Sequence, residues 1–358
     1  MSIEKFNSKK YKTSNNFEDI GNILDDGFII TNNDGIILVA NKIAQELIGK
    51  NLINKNIFKL ISNSDFLSLD FNVSNNDYDH IFVHELDDYL HRQLKVKIKK
   101  LNKNKALIVF SDLTLQRNLE KIRRDFVANV SHELRSPLTI LSGFIETILL
   151  DQNIDKTSLN KFLNIMDEEA KRMNNLIDDI LSLSKVESEE HILPSTVVSI
   201  LDPINSVIST IEKSGLLKSN KITLIKKTDS LNIEGNYLEI TQVFYNLIEN
   251  GIKYGNQNSD VIVEIIQNDL NYLVVSVINE GEGIPEKYLD RITERFYRVD
   301  KARSRKIGGT GLGLAIVKHI LIKHRAELKI ESVPNEKTKF SVIFPLAKKK
   351  IWLNSLFL

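Results

Sequence analysis

The chain has 358 residues, of which 42% are hydrophobic and 27% are charged, and it contains no cysteine. That length predicts two or three domains, and the lack of cysteine excludes a disulfide framework, a thiolate zinc site and a cysteine nucleophile. The 48 basic and 47 acidic residues give a net charge of +1, which argues against a nucleic-acid-binding protein.

Residues 17–112 alternate short apolar runs with turn signals, a pattern typical of a small α/β domain. Asn33, Asp34 and Gly35 predict a hairpin turn between the first two strands. Apolar residues alternate with lysines at 94–99, so a half-buried strand is expected there. The other strands are predicted at 28–30, 36–39 and 106–110.

Residues 113–190 carry apolar side chains at spacings of three and four, with a break near 151–155. This pattern predicts a helical hairpin. Two helices alone cannot bury both apolar stripes, so a homodimeric four-helix bundle is the simplest architecture. The alternative is a hairpin that packs on the flanking domains.

His132 is the candidate nucleophile of the first helix. At 100° per residue, His132 and Ser136 lie away from the apolar side, so His132 is expected to face solvent. The ring of an exposed histidine is partly neutral at the pH of a cell, so a nitrogen can attack a phosphoryl group while the adjacent Glu133 accepts the proton. Pro137 predicts a bend just after this pair. An ordinary polar surface position is the alternative for His132. The apolar side consists of Val130, Leu134, Leu138 and Leu141.

The run from His132 to Leu138, His-Glu-Leu-Arg-Ser-Pro-Leu, resembles the phospho-accepting segment of bacterial sensor histidine kinases. By that resemblance, His132 is the residue that is autophosphorylated and Glu133 is its general base. Ser136 stands where the family usually has Thr and keeps the hydroxyl, so the resemblance implies a phosphatase role for it.

Residues 194–348 return to a mixed α/β pattern. Helices are predicted at 237–253 and 312–323. Strands are predicted at 222–225, 261–266, 272–278, 328–331 and 340–344.

The first polar motif of this region lies on the helix predicted at 237–253. Asn246, Asn250 and Lys253 fall within about 60° of one another around the helix axis, opposite an apolar face. Amide oxygens suit Mg²⁺ and an ammonium suits phosphate, so this face is a candidate site for a metal-bound triphosphate. An ordinary solvated helix face is the alternative.

Two glycine motifs follow. Asn279, Gly281 and Gly283 come directly after an apolar strand, where glycines let the backbone approach a flat ligand. The second motif is a loop that enters a helix, where free N–H groups attract phosphate. A Rossmann dinucleotide site is the rival, but charged residues rather than a strand precede these glycines. The second motif consists of Gly309, Thr310, Gly311, Leu312 and Gly313.

In this order and spacing, the three motifs resemble the nucleotide-binding boxes of the histidine-kinase ATPase domain, which gyrase, heat-shock chaperone and mismatch-repair ATPases share. The resemblance implies an α/β sandwich that binds ATP and Mg²⁺. Asn250 with Asn246 would hold the ion, Lys253 and Tyr254 would meet the phosphates, and the loop at 309–313 would close over them.

The chain departs from this family at two positions. Asn279 stands where the family usually has Asp, the residue that accepts a hydrogen bond from the adenine amino group, and Gly251 replaces the usual Ala. The stretch 294–305 resembles the lid of phosphate-regulon sensor kinases, which makes phosphate limitation an expected signal.

Residues 17–112 resemble a PAS sensory domain, with the first hairpin at 23–41. The sequence thus predicts a multidomain α+β protein with a PAS-like domain at 17–112, a dimerisation and phosphotransfer hairpin at 113–190 and an ATP-binding domain at 194–348. We expect a two-component sensor histidine kinase that acts as a homodimer and passes its phosphoryl group to the receiver domain of a response regulator. No membrane span and no nucleic-acid partner are expected, and the expected location is cytoplasmic, with peripheral membrane association left open. A signalling scaffold that does not turn over ATP and an ATP-driven machine of the gyrase or chaperone type are the alternatives.

Overall fold

The computed structural model describes residues 25–61, 80–86, 92–102, 104–151, 154–217, 220–268, 271–300 and 309–347. The chain divides into two compact units, Met1–Asp125 and Phe126–Leu358.

The first unit contains a five-stranded antiparallel sheet in the order β2-β1-β5-β4-β3. Every strand predicted for this region is found, and the predicted turn is present, because Gly35 donates its N–H to the Asn32 carbonyl at 3.1 Å. The helix α1, Lys42–Ile48, begins at Asn41, whose side chain accepts from the Ala44 N–H. The strands are β1 Gly27–Asn32, β2 Ile37–Ala40, β3 His80–Glu85, β4 Gln93–Asn102 and β5 Lys105–Asp112.

Two long helices form the predicted hairpin. Helix α2 spans Thr114–Leu150 and runs through Pro137 without a break, and helix α3 spans Lys156–Ser188. The second unit contains α2 from Phe126 onward and all of α3. The rings of Phe144 and Phe162 lie 4.9 Å apart, so the two helices pack antiparallel near their connection.

Much of the apolar surface of the hairpin has no cover in the single chain. Leu138, which the helical projection places on the apolar side, is 55% exposed. Exposed large apolar side chains of the hairpin in the second unit are Val127, Leu138, Ile145, Leu149, Leu150, Leu163, Ile177 and Leu181.

The rest of the second unit is an α/β lobe built on a mixed sheet in the order β11-β12-β10-β9-β7. The pairing of β7 with β9 is parallel and the others are antiparallel. All five predicted strands and both predicted helices are present. The strands are β6 Val197–Ser199, β7 Ile222–Lys226, β8 Asn232–Glu234, β9 Val261–Gln267, β10 Tyr272–Glu280, β11 Glu327–Val333 and β12 Lys337–Pro345; the helices are α4 Leu201–Ser214, α5 Tyr237–Tyr254, α6 Glu286–Leu289 and α7 Gly313–Lys323.

The core of the lobe lies between this sheet and helices α4, α5 and α7. Helix α5 turns the face predicted to be apolar into the core, where Phe244, Leu247 and Ile248 are fully buried. Alternate residues of β10, including Val275 and Val277, face the same core. The opposite face of α5 is therefore left for the polar residues of the first motif.

The C-terminal half of α3 packs on this lobe. Leu176, Leu183 and Val186 are buried in the same cluster as the core of the lobe. Beside them, the Lys323 ammonium lies 3.0 Å from Glu189. The alternative of a hairpin packed on its flanking domain is thus correct for this half of α3.

Among the described residues, no helix has the length and apolar character needed to cross a membrane.

Candidate functional site

A cavity of about 460 Å³ opens in the α/β lobe, next to the C-terminal half of α3. Its walls come from α3, α5, the end of β10, the loop before α7 and β12. Of the twelve residues predicted to bind nucleotide, the fold brings ten to this cavity, from segments up to 67 positions apart. These are Asn246, Asn250, Lys253, Tyr254, Asn279, Gly283, Gly309, Thr310, Gly311 and Gly313.

Two predicted residues do not line the cavity. Leu312 is fully buried in the core of the lobe, where it holds the start of α7 against the sheet. Gly281 lies behind the wall, where an added Cβ would come within 2.5 Å of the Tyr254 carbonyl oxygen. Both residues shape the cavity through their packing rather than by facing it.

The polar face of α5 forms one wall of the cavity, as the helical spacing predicts. The Lys253 ammonium lies 2.8 Å from a Glu249 carboxylate oxygen, and both side chains are about four-fifths buried. The sequence did not single out Glu249. Tyr245 lines the same wall, and burial together with the nearby Glu249 charge raises the pKa of its phenol.

The N-terminus of α7 forms a second part of the cavity wall. No side chain caps this end of the helix, so its first N–H groups are free to meet a ligand. Gly311 adopts φ +77°, and its carbonyl accepts from the Phe296 N–H at 2.8 Å. The bare Cα of Gly313 admits the Asn246 amide oxygen, which would lie 2.9 Å from an added Cβ. The loop therefore brings the free end of the helix next to the first amide of α5.

His132 is exposed on α2, as predicted. None of the described residues forms a hydrogen bond or an ion pair with its ring. Glu133 turns instead toward the lobe, where its carboxylate lies 3.2 Å from the Arg298 guanidinium and 3.6 Å from that of Arg172. The acid beside the candidate nucleophile is thus paired with two cations in this structure.

Arg298 connects that acid to the nucleotide cavity. Its side chain is 5% exposed and lines the cavity, and the nitrogen that contacts Glu133 also donates to the Thr310 carbonyl at 2.8 Å. One guanidinium therefore contacts both the neighbour of His132 and the glycine-rich loop.

A second bond links the loop to the hairpin. The Thr310 hydroxyl donates to the Asp179 carboxylate at 2.6 Å. Burial raises the pKa of Asp179, and the hydrogen bond from Thr310 acts in the opposite direction. The loop that flanks the cavity is thus fixed to α3.

The residues that sequence reasoning missed are Arg298, Asp179, Glu249 and Arg172. Arg298 lies in the stretch that resembles a lid, so the signal was present without an assigned role. The Arg298–Glu133 contact joins positions 165 residues apart, and the Thr310–Asp179 contact joins positions 131 apart. The spacing of residues within one helix or loop does not predict contacts between positions so far apart in the sequence.

The residues of α5 are compatible with a magnesium ion. Amide oxygens are hard donors of the kind that Mg²⁺ accepts, and Asn246 and Asn250 present theirs at the same wall as Lys253. Within the described parts of the chain, no group of three or more histidine, aspartate or glutamate side chains could hold a metal ion.

Two family descriptions match this chain. Residues 122–189 match "His Kinase A (phospho-acceptor) domain", and residues 235–348 match "Histidine kinase-, DNA gyrase B-, and HSP90-like ATPase". The two matched segments contain His132 and the nucleotide motifs respectively.

Individual proteins are similar over most of the chain. A sensor protein kinase WalK from Staphylococcus aureus is 33% identical over 331 residues, which cover 90% of this chain and 79% of that protein. A sensor protein kinase WalK from Staphylococcus saprophyticus is 34% identical over 331 residues, again 90% of this chain but 53% of that protein. The chain thus spans about half the length of several curated relatives it matches.

Among solved structures, the histidine kinase ThkA in its crystal complex with the response regulator protein TrrA has a similar fold. The TM-score is 0.53 at 23% identity, and the match covers 91% of this chain and 97% of that one.

Proposed function

Because the chain belongs to the sensor histidine kinase family, we propose that it transfers the γ-phosphoryl group of ATP to His132 and then to an aspartate of a response regulator. The observation that carries this proposal is the position of Arg298. Arg298 lines the nucleotide cavity and contacts Glu133, the acid next to the exposed His132. One side chain therefore connects the proposed ATP site with the proposed phosphoryl acceptor.

The cavity suits a nucleoside triphosphate bound as its magnesium complex. Lys253 and the free N-terminus of α7 would hold the phosphates, and Asn246 and Asn250 would contribute oxygens to the ion. Glu249 has to release Lys253, or share it, when phosphate enters, since the two are paired at 2.8 Å. The ion would offset charge on the phosphates as the terminal group leaves.

Transfer to His132 is a displacement at phosphorus. A neutral ring nitrogen forms the new N–P bond, the bond from the γ-phosphorus to the bridging oxygen breaks, and ADP leaves with that electron pair. The proton on the other ring nitrogen passes to the Glu133 carboxylate. The lobe contacts that carboxylate through Arg298, so the reaction requires the lobe to move until this contact is released; Arg172 lies on α3 of the hairpin and does not depend on the lobe.

The exposed apolar side of the hairpin supports a homodimer. Eight large apolar side chains of the two helices are more than two-fifths exposed in the single chain. Monomeric proteins seldom expose so many large apolar side chains on one pair of helices, and a second hairpin would complete a four-helix bundle. The dimer would then present two copies of His132, one from each chain.

The second transfer would use the outer surface of α2. Ser136 is exposed one turn after His132, where an incoming receiver domain would meet both side chains. The resemblance to ThkA concerns the fold, and the response regulator in that complex is its own partner. We extend to Ser136 a phosphatase role, in which its hydroxyl would orient a water against the regulator's phosphoaspartate.

The first unit is proposed to be a PAS-like sensory domain. Its five-stranded antiparallel sheet, with α1 packed on β1, supports an α/β domain of that size. Phosphate limitation as the signal stays a prediction that rests on the lid stretch alone, part of which, 301–305, lies outside the described residues.

Labelling with [γ-³²P]ATP tests the proposal. Incubation with Mg²⁺ and labelled ATP should give an acid-labile, alkali-stable label that His132→Gln abolishes. His191→Gln, at another exposed histidine, is the matched control and should label like the wild type. Protein that shows no saturable binding of Mg-ATP would favour the scaffold, and ATP hydrolysis without label would favour the gyrase or chaperone type of machine.

A further inference from the structure

The cavity has two chemically different ends. At one end, the start of α7 lies against Asn246 with its first N–H groups free, and Lys253 interacts electrostatically with Asp179, which holds the loop before α7. The other end is formed by Asn279, Thr338 and apolar side chains, among them Ile284 and Phe340. A nucleotide placed with its phosphates at the first end therefore brings its base to Asn279.

Asn279 is the last of the alternate residues of β10 whose side chains face α5. It continues the alternation of Val275 and Val277, and it is 5% exposed. Its side-chain nitrogen lies 3.5 Å from the Glu280 carbonyl, at the outer limit of a hydrogen bond. Its side-chain oxygen accepts no hydrogen bond from any described residue, and it is not among the buried unpaired oxygens, so it is open to the cavity that Asn279 lines.

Two glycines lie beside this amide. A Cβ added at Gly281 would lie 3.4 Å from the Asn279 nitrogen, and one added at Gly251 would lie 3.7 Å from the Asn279 Cβ. Gly251 also admits Val261, whose methyl carbon would lie 3.2 Å from that added Cβ. Asn279 is thus bordered by α5 at Gly251 and by the turn after β10 at Gly281, and its remaining side faces the cavity.

A carboxamide and a carboxylate differ in the hydrogen bonds that they can form with a purine base. A 6-aminopurine offers a donor at the amino group and an acceptor at N1, whereas a 6-oxopurine offers an acceptor at O6 and a donor at N1. A carboxylate only accepts, so it pairs with the amino group and repels O6, but a carboxamide turned by 180° about its last torsion matches either edge. The single 3.5 Å contact of the Asn279 nitrogen offers little resistance to that turn.

We propose that Asn279 makes this cavity accept 6-oxopurine nucleoside triphosphates as well as ATP. The proposal rests on the proposed function, because it takes the cavity to be a triphosphate site. It makes Asn279 the residue that sets base specificity, with relaxed rather than strict selection of adenine.

Competition binding on the full chain tests this without a phosphorylation readout. A fluorescent ADP analogue labelled on the ribose is displaced, in the presence of Mg²⁺, by ATP or by ITP, which differ only at position 6 and at the N1 proton. Wild-type protein should bind the two with dissociation constants within about threefold of each other. The Asn279→Asp variant should keep ATP binding and weaken ITP binding at least tenfold, because the carboxylate faces O6 without a donor.

Two controls make the outcome decisive. Asn268→Asp makes the same change on an exposed residue after β9 and should alter neither affinity. In the wild type, the triphosphate of purine riboside, which lacks the 6-substituent, should bind about tenfold more weakly than ATP and ITP. This comparison needs no variant, so it decides the matter even where Asn279→Asp does not fold.

The failures are distinguishable. Wild-type protein that binds ATP but binds ITP more than about thirtyfold more weakly overturns the role of Asn279 and leaves the proposed function standing. Protein that binds neither ATP nor ITP overturns both proposals.

Discussion

Replacement of Gly311 by alanine should destabilise the glycine-rich loop in two ways, through its backbone conformation and through a steric contact. Gly311 has φ +77°, a region that costs an L-residue roughly 1–2 kcal/mol. An added Cβ would also lie 3.0 Å from two backbone atoms of Phe296, which cannot move without stretching the 2.8 Å bond between these two residues. Gly311→Ala should therefore destabilise the chain by more than the conformational cost alone.

Two other glycines serve as matched controls. Gly215 has φ +74° but nothing within 4 Å of an added Cβ, so Gly215→Ala should cost only about 1–2 kcal/mol. Gly143 lies inside α2 with an ordinary φ and open space, so Gly143→Ala should stabilise by about 0.5–1 kcal/mol. The order of stability is thus Gly143→Ala, wild type, Gly215→Ala and Gly311→Ala.

Urea denaturation measures the stability of the wild type and the three variants, and ATP titration measures their affinity for ATP. Only Gly311→Ala should also weaken ATP binding, by about tenfold or more, because displacement of the loop by its new side chain misplaces the N-terminus of α7. Gly311→Ala protein that is as stable as Gly215→Ala protein and binds ATP like the wild type would refute this reasoning.

Three further predictions concern buried polar contacts. Lys323→Met should cost about 3–5 kcal/mol, because it leaves Glu239, whose side chain is 12% exposed, without its cation, whereas Lys329→Met at an exposed pair should leave the stability almost unchanged; equal costs in urea denaturation would contradict this. Burial lowers the pKa of the His324 ring in the folded chain below 6.5. As the pH falls, the unfolded chain therefore binds a proton at this ring before the folded chain does. The stability contributed by the neutral ring is present above pH 6.5 and is lost as the pH falls toward the pKa of the folded state. Unfolding free energies at pH 7.5 and 5.5 should therefore differ less in His324→Gln than in the wild type, and an equal difference would disprove the assignment. Thr310→Val should cost about 1–3 kcal/mol by removing the donor to Asp179, and Thr310→Ser should restore most of it; the two variants having the same stability would exclude the hydrogen bond as the cause.

Periodic patterns predicted most of the fold. The spacing of Phe244 and Leu247 predicted the buried face of α5, and the opposite face then had to carry Asn250 and Lys253. Helix α4 was not predicted, although its buried residues Ile204, Val207 and Ile211 have the same spacing and only Pro203 in its first turn is unusual for a helix. Proline is compatible with a first turn, so the signal for α4 was present.

The sequence also predicted some residues of the candidate site and not others. Asn246, Asn250 and the glycine-rich loop were predictable, because each is fixed by local spacing or by a helix start. The pairing of Glu133 with Arg298 was not, since it depends on how the hairpin packs on the lobe. Leu138 shows the same limit, because its exposure depends on which surface covers it rather than on its place in the helix.

Mass spectrometry of the phosphorylated chain tests most directly whether a nucleotide held in the lobe phosphorylates the exposed imidazole. After incubation with Mg²⁺ and ATP and digestion at alkaline pH, one phosphoryl group should be found on the peptide that contains His132, and at His132 itself. The same peptide from Gly311→Ala protein should carry far less. A phosphoryl group at another residue, or equal modification of both proteins, would contradict the account.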